Sequence, residues 1–151
     1  MNYCLTGFTY GFWTRYLRLV AGTNYILPSC KTGLYGICML FATNGLRYYI
    51  DISTYRYFTT LSDGVPTNMN RSWIFVGFTY DPVTQKAYAF LDNQYTEMTK
   101  DSSPAEKSSA TKSQWFGGHA PFLVDNVFYF PKFSTAEEIS AIYETSMFIL
   151  N

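Results

Sequence analysis

The sequence predicts an all-β binding domain with one helix near its C-terminal end. Three observations carry this reading. Aromatic residues make up 20% of the chain, as 14 Tyr, 13 Phe and 3 Trp, and such side chains suit pleated, half-buried surfaces. Apolar residues recur with period two in several runs separated by turn residues. Helical spacing with a proper start signal is found in one place, after Ser134.

The first strand is Phe8-Thr9-Tyr10-Gly11-Phe12-Trp13, where Phe8, Tyr10 and Phe12 alternate. A weaker segment, Tyr25-Ile26-Leu27, is stopped by Pro28. Tyr35 to Ala42 and Leu46 to Ile52 follow. Asn44-Gly45 between them supplies two positive-φ positions for a type I′ hairpin turn. Tyr55 to Thr60 is a further short strand, and Ser62 to Arg71, with Gly64 and Pro66, is a loop. Trp73 to Tyr80 is apolar on both faces and is expected to be central and covered on both sides, with Trp73 and Phe78 largely buried. Asp81-Pro82-Val83-Thr84 turns the chain, Lys86 to Leu91 returns as a strand, and Asp92-Asn93 ends it. In residues 96–113 aromatics vanish and Ser, Thr and Lys dominate, which reads as a long loop. Strands resume near Gln114-Trp115-Phe116 and at Phe122 to Phe130. Ser134-Thr135-Ala136-Glu137 is a capping box opening a helix that ends near Thr145, with Ile139, Ile142 and Tyr143 on one face.

Length and charge bound the function. The 151 residues make one domain with room for a core. Eleven Lys and Arg balance eleven Asp and Glu, so no global field draws the protein to nucleic acid. With 48% hydrophobic and 15% charged residues, the chain is not of the disordered class. No apolar run approaches the roughly 18 residues of a membrane-spanning helix. Met1-Asn2-Tyr3-Cys4 does not open a signal peptide.

Three cysteines, Cys4, Cys30 and Cys38, and the single His119 are a poor zinc inventory. They read either as buried free thiols of a cytosolic protein or as one disulfide plus one unpaired half-cystine in an extracellular domain. Cys30 and Cys38 flank a segment containing Gly33 and Gly36, so they can meet if the chain folds back there, leaving Cys4 unpaired. Asn70-Arg71-Ser72 is the one glycosylation sequon and fits the extracellular alternative.

Several stretches together resemble a known group. Trp73 to Asp81 followed by Thr84 to Gln94 is similar to a hairpin of the concanavalin A-like sandwich domains of the laminin G-like and pentraxin group. Val124 to Phe130, then Phe133 to Ile139 and Tyr143, resembles that group's closing strand and helix. Phe8 to Trp13 resembles an early strand, and Gly117-Gly118 a turn. The resemblance implies a two-sheet antiparallel jelly-roll sandwich with a short C-terminal helix. It also implies one such domain over residues 1–151, excised from a longer extracellular protein and lacking its opening strand. Asn93 stands where the group has a turn glycine, so a left-handed residue is expected there. Calcium is the cofactor the resemblance implies, with Asp125 the one position carried over. Asp125 read alone is a solvated strand-end acid or one that bonds backbone amides.

Enzymatic signatures are missing. Retaining glucanases use the same sandwich and need two carboxylates about 5–5.5 Å apart. No two of the eleven acids stand at i and i+2, and no predicted strand carries two. A nucleophile elbow, a P-loop and a dinucleotide fingerprint are all lacking. The expected function is therefore a non-enzymatic extracellular recognition or adhesion module. The resemblance implies a glycan, glycoprotein or matrix ligand held by rim loops, with Asp63 and His119 as contact candidates. Tyr48, Tyr49, Tyr55 and Tyr57, interleaved with Arg47 and Arg56, form an aromatic patch that serves either as core or as a sugar platform. The alternative function is an assembly module that joins neighbouring domains or subunits, with an open sheet edge accepting a partner's strand.

Overall fold

The computed structural model describes residues 6–17, 24–28, 37–42, 45–52, 55–61, 72–101 and 122–147. They form β1 (Phe8–Tyr16), β2 (Asn24–Pro28), β3 (Ile37–Ala42), β4 (Gly45–Ile52), β5 (Tyr55–Leu61), β6 (Ile74–Asp81), β7 (Lys86–Leu91), β8 (Gln94–Glu97), β9 (Thr99–Lys100), β10 (Phe122–Phe130) and α1 (Ala136–Met147). Two five-stranded antiparallel sheets result, ordered β10-β1-β6-β7-β8 and β2-β3-β4-β5-β9. The chain divides into two compact units, residues 1–14, 73–98 and 124–151, and residues 15–72 and 99–123.

In the first unit β6 is central, as its apolar run predicts, and Ile74 to Tyr80 are all buried. Antiparallel pairing sets Trp13 opposite Phe75 and Gly11 opposite Gly77, and Gly77 opposite Phe90. One face of the sheet therefore gathers Trp13, Phe75 and Phe90, which Ile139 of α1 covers. Ile142 and Tyr143 pack beside it, as the helical spacing requires. Tyr143 stacks on Trp13 at 5.5 Å, and the Trp13 indole Nε1 donates to Ser146 Oγ at 2.8 Å. On the opposite face Phe8, Phe12, Val76, Phe78 and Leu91 are buried. Trp73 precedes β6 and is only partly buried, at the margin of the helix-side cluster. No side chain fits at Gly11, where the Phe90 and Phe128 rings lie directly on the backbone, or at Gly77, which is covered by the Phe90 ring and the Tyr10 carbonyl.

The helix starts one residue later than its sequence signal. Thr135 Oγ1 accepts the Glu138 N–H (3.3 Å), Glu138 Oε2 accepts the Thr135 N–H (3.1 Å), and the Ile139 N–H donates to the Thr135 carbonyl (3.0 Å). The capping box is thus Thr135 to Glu138. Ser134 cannot fill that role because its N–H donates to Thr79 Oγ1 in the sheet (3.0 Å).

In the second unit β3 and β4 form the expected hairpin, but Ala42 pairs with Gly45. Gly45, at φ 131°, therefore opens β4 rather than sitting inside the turn. Residues 43–44 lie outside the described residues. Leu46, Tyr48, Ile50 and Ile52 are buried, while Arg47, Tyr49 and Asp51 take the other face. The stretch expected as a loop from residue 96 begins instead with the end of β8 and with β9. Met98 between them is buried and its N–H donates to the Ala87 carbonyl (2.8 Å). Short polar edge strands pair through backbone alone and leave no apolar period to read. Residues 102–121, including Gln114-Trp115-Phe116, lie outside the described residues. The left-handed residue of the β7–β8 turn is Asp92 (φ 51°), not Asn93, and the Asp92 N–H donates to the Phe75 carbonyl at 2.7 Å.

Candidate functional site

Asp63, Asn70, Cys30, Gly117-Gly118 and His119 lie outside the described residues. Cys38 is fully buried on β3 and is disulfide-bonded, with its partner outside the described residues. Asp125 is exposed on β10, and its Oδ1 accepts the N–H of Asn126 (2.7 Å), a residue at φ 48°. Asp125 lies within β10 rather than at a strand end, and the bond is of the kind expected of an acid that binds backbone amides. Calcium takes roughly six to eight oxygen ligands, and no group of three or more His, Cys, Asp or Glu gathers to hold a metal among the described residues.

The tyrosine patch divides by strand alternation. Tyr48 and Tyr57 are buried core residues, at 0% and 1% exposure, while Tyr55 is 37% exposed. The outer row of this sheet carries Arg47, Tyr49 and Asp51 on β4 opposite Thr60, Phe58 and Arg56 on β5. Phe58 is 38% exposed, directly across from Tyr49. Arg56 grips Asp51 through two parallel hydrogen bonds, Nε to Oδ1 at 2.7 Å and Nη2 to Oδ2 at 3.1 Å. The Asp51 side chain is 1% exposed and that of Arg56 34%. The hydrogen bond to Asp51 raises the Arg56 pKa above its usual value, against the opposing effect of burial. The guanidinium is therefore a fixed cation beside the Phe58–Tyr49 pair, with only two of its five N–H donors spent on Asp51. At the sheet margin the Lys100 ammonium stands 3.7 Å from the Tyr55 ring centre, a cation–π contact.

Chemically this is a surface of ring faces interleaved with fixed cationic donors. A pyranose packs its C–H face on such a ring while its hydroxyls reach donors at the side. The tyrosines and arginines announced the patch in the sequence. Phe58 and Lys100 did not. Phe58 was one aromatic among thirty, and Lys100 sat in an apparent loop.

No protein-family model matches the chain, and none of the curated proteins does. Solved structures do. The binding domain of botulinum neurotoxin DC, solved with SialylT and with rat synaptotagmin II, matches at TM-score 0.67 and 14% identity over 95% of this chain. A botulinum neurotoxin type C structure, tied to cell entry that depends on interaction with two ganglioside molecules, matches at TM-score 0.61 and 15% identity over 93%. The binding domain of Paraclostridial Mosquitocidal Protein 1 matches at TM-score 0.65 and 10% identity over 95%. The shared feature is the fold. Like these neighbours, the chain is a β-sandwich, all-β with a short C-terminal helix. It spans under two fifths of their length, 36% of the chain solved with SialylT and 38% of the mosquitocidal one.

Proposed function

We propose that this chain is a non-enzymatic recognition module of an extracellular protein, and that it binds a glycan or glycoprotein with the sugar ring seated on Phe58. The observation that carries the reading is the outer β4–β5 row, where an exposed ring stands opposite Tyr49 and beside the immobilised Arg56. The complex of the botulinum neurotoxin DC binding domain with SialylT supports it by fold analogy alone. Asp63 and His119 are proposed rim contacts, Asn70 a glycosylation site, and Cys30 the disulfide partner of Cys38. Calcium, with Asp125 as one ligand, is the proposed cofactor. The chain is further proposed, from its sequence motifs, to be related to the laminin G-like and pentraxin group.

A glycan array with the native chain and Phe58→Ala tests it. The native protein should bind a defined set of glycans, and the variant should lose that signal while remaining folded by circular dichroism, because Phe58 lies outside the fully buried core. Silence of the native protein across the array would refute the function. Unchanged binding by Phe58→Ala would refute the location.

One observation favours assembly as a second reading. β10 is an edge of its sheet among the described residues, and Val127 and Tyr129 are 50% and 45% exposed along it. Concentration-dependent association in sedimentation, lost in Val127→Lys, would support that reading. A monomer at all concentrations would sink it.

A further inference from the structure

The approach to α1 bounds a cleft of about 370 Å³ lined by Phe130, Lys132, Ser134, Glu138, Ala141 and Ile142. That volume falls within the roughly 300–1,000 Å³ of small-molecule sites. Its walls differ in chemistry. Phe130, Ala141 and Ile142 offer carbon. Lys132 Nζ and Glu138 Oε1 meet at 2.6 Å as an exposed ion pair, so the cleft presents both signs and no net charge.

Ser134 sets the cleft apart. Its N–H donates to Thr79 Oγ1 (3.0 Å), and its carbonyl accepts from the Tyr95 hydroxyl (3.1 Å). Thr79 Oγ1 in turn meets Thr9 Oγ1 (2.8 Å), and Thr9 Oγ1 reaches the Lys132 carbonyl (2.8 Å). The sheet therefore fixes the backbone on both sides of the cleft wall. The side-chain hydroxyl is left over: Ser134 is 1% exposed, and its Oγ has no hydrogen-bond partner. Glu138 is near enough that its carboxyl, held below the usual range chiefly by Lys132 and the Thr135 amide, gains slightly from this hydroxyl. No hydrogen bond of good geometry joins the two. A buried hydroxyl without a partner is costly, so a guest that pairs with it is favoured.

We infer that this cleft is a second glycan subsite that takes the acetamido group of a neutral N-acetylated pyranose. A purely apolar guest would leave Ser134 Oγ unpaired. A charged guest would gain nothing from the carbon floor and meet a cation and an anion that cancel. An acetamido group places a methyl beside a carbonyl: the methyl suits Ala141 and Ile142, and the carbonyl accepts from Ser134 Oγ once the serine side chain turns into the cleft. The sugar ring then lies along Phe130, and its hydroxyls reach Lys132 and Glu138. The inference rests on the glycan reading above, but its site is separate from Phe58.

Saturation-transfer NMR with free N-acetylglucosamine, glucose and N-acetyl-alanine amide tests it. On the native chain, transfer should be strongest to the acetyl methyl of N-acetylglucosamine, with glucose about tenfold weaker, the loss of one good polar-plus-methyl contact. Ala141→Leu, at an exposed helix position, should fill the cleft and abolish the signal without unfolding the chain. Ser134→Ala should weaken it by about tenfold, and Phe58→Ala should leave it intact. Absence of acetyl-methyl transfer in the native chain, or transfer that survives Ala141→Leu, overturns the subsite. Equal transfer to N-acetyl-alanine amide makes it a peptide site and overturns the sugar assignment. Array binding that needs Phe58, without any cleft signal, sinks the subsite and spares the proposed function. A cleft signal with a silent array does the reverse.

Discussion

Adding one methyl group at Gly77 should damage this protein more than adding one at Gly11, its Cα partner across β1 and β6. A Cβ built on Gly11 would stand 2.6 Å from Phe128 Cζ and 2.8 Å from Phe90 Cζ. Carbon atoms settle at about 3.5–4.0 Å, so the intrusion is about 1 Å. Both obstacles are side chains, and the nearer one, Phe128, half-buried on the edge strand β10, can swing aside, while Phe90 has less room to move. A Cβ on Gly77 would meet the Phe90 ring more closely still, and also the backbone carbonyl oxygen of Tyr10. Phe90 is fully buried, and the carbonyl cannot move without separating β1 from β6. Overpacking costs about 1–3 kcal/mol. Gly11→Ala belongs at the low end of that range and Gly77→Ala at or above the top. For a chain of this size about 3 kcal/mol lowers the melting temperature by roughly 6–12 °C. Urea denaturation followed by circular dichroism measures both. Phe128→Leu should restore only part of the loss in Gly11→Ala, because the buried Phe90 ring still stands 2.8 Å from the new methyl. Phe90→Leu should not restore Gly77→Ala, because the Tyr10 carbonyl stays in place. A Gly77→Ala variant within about 0.5 kcal/mol of the native chain, the range of a neutral surface change, would refute the register of β1 on β6.

Arg56→Ala should cost about 3 kcal/mol in urea denaturation, the low end for stranding a buried charge because the guanidinium is partly exposed; a neutral result would show that Asp51 finds another partner. Burial raises the Asp92 pKa, partly offset by the bond from the Phe75 N–H (2.8 Å). The fold thus favours the protonated acid, and stability falls as pH rises through the raised value. Asp92→Asn keeps an acceptor and tolerates the left-handed φ; it should melt higher at pH 7, with the gain vanishing below about pH 3.9, the unfolded value. A lower melting temperature at pH 7 would contradict the assignment. Thr79→Val removes the acceptor of the Ser134 N–H and should cost about 1–3 kcal/mol, read as a shifted urea midpoint; an unchanged midpoint would mean that water replaces the hydroxyl. Peptide mapping without reduction should find Cys30 joined to Cys38, and a bridge to Cys4 would exclude that pairing.

Strands with aromatic alternation were legible because their exposure follows the pattern: β6 is buried on both faces, and β10 alternates half-buried with exposed residues. Phe8 to Trp13, Trp73 to Tyr80 and Phe122 to Phe130 all became strands close to their expected bounds. The helix face Ile139-Ile142-Tyr143 was legible for the same reason. Local signals slipped by one residue wherever two positions offered the same chemistry. Ser134 and Thr135 both suit a helix cap, and only the tie from Thr79 decides between them. Asp92 and Asn93 both tolerate a left-handed backbone. β8 and β9 were not legible, since Gln94 to Glu97 and Thr99-Lys100 have almost nothing apolar to alternate. The aromatic and arginine surface was half legible: residue types revealed the patch, but only register assigns Tyr48 and Tyr57 to the core and Tyr49 and Phe58 to the outer row. The cleft at Ser134 had no sequence signal, because a hydroxyl is left unpaired only once the sheet has claimed its backbone.

The pairing of β1 with β6 under α1 also sets an order of events during synthesis. β1 leaves the ribosome with Trp13 and cannot dock until β6 follows almost sixty residues later. The face that Trp13, Phe75 and Phe90 then share stays bare until α1 emerges. At about 5–20 residues per second, the span of about 120 residues between β1 and α1 keeps the indole uncovered for roughly 6–24 s. Contacts this distant in sequence also fold slowly after release. The nascent chain therefore carries this apolar face uncovered for most of its elongation, and a stall before Ser134 leaves its aromatic rings without their helical cover.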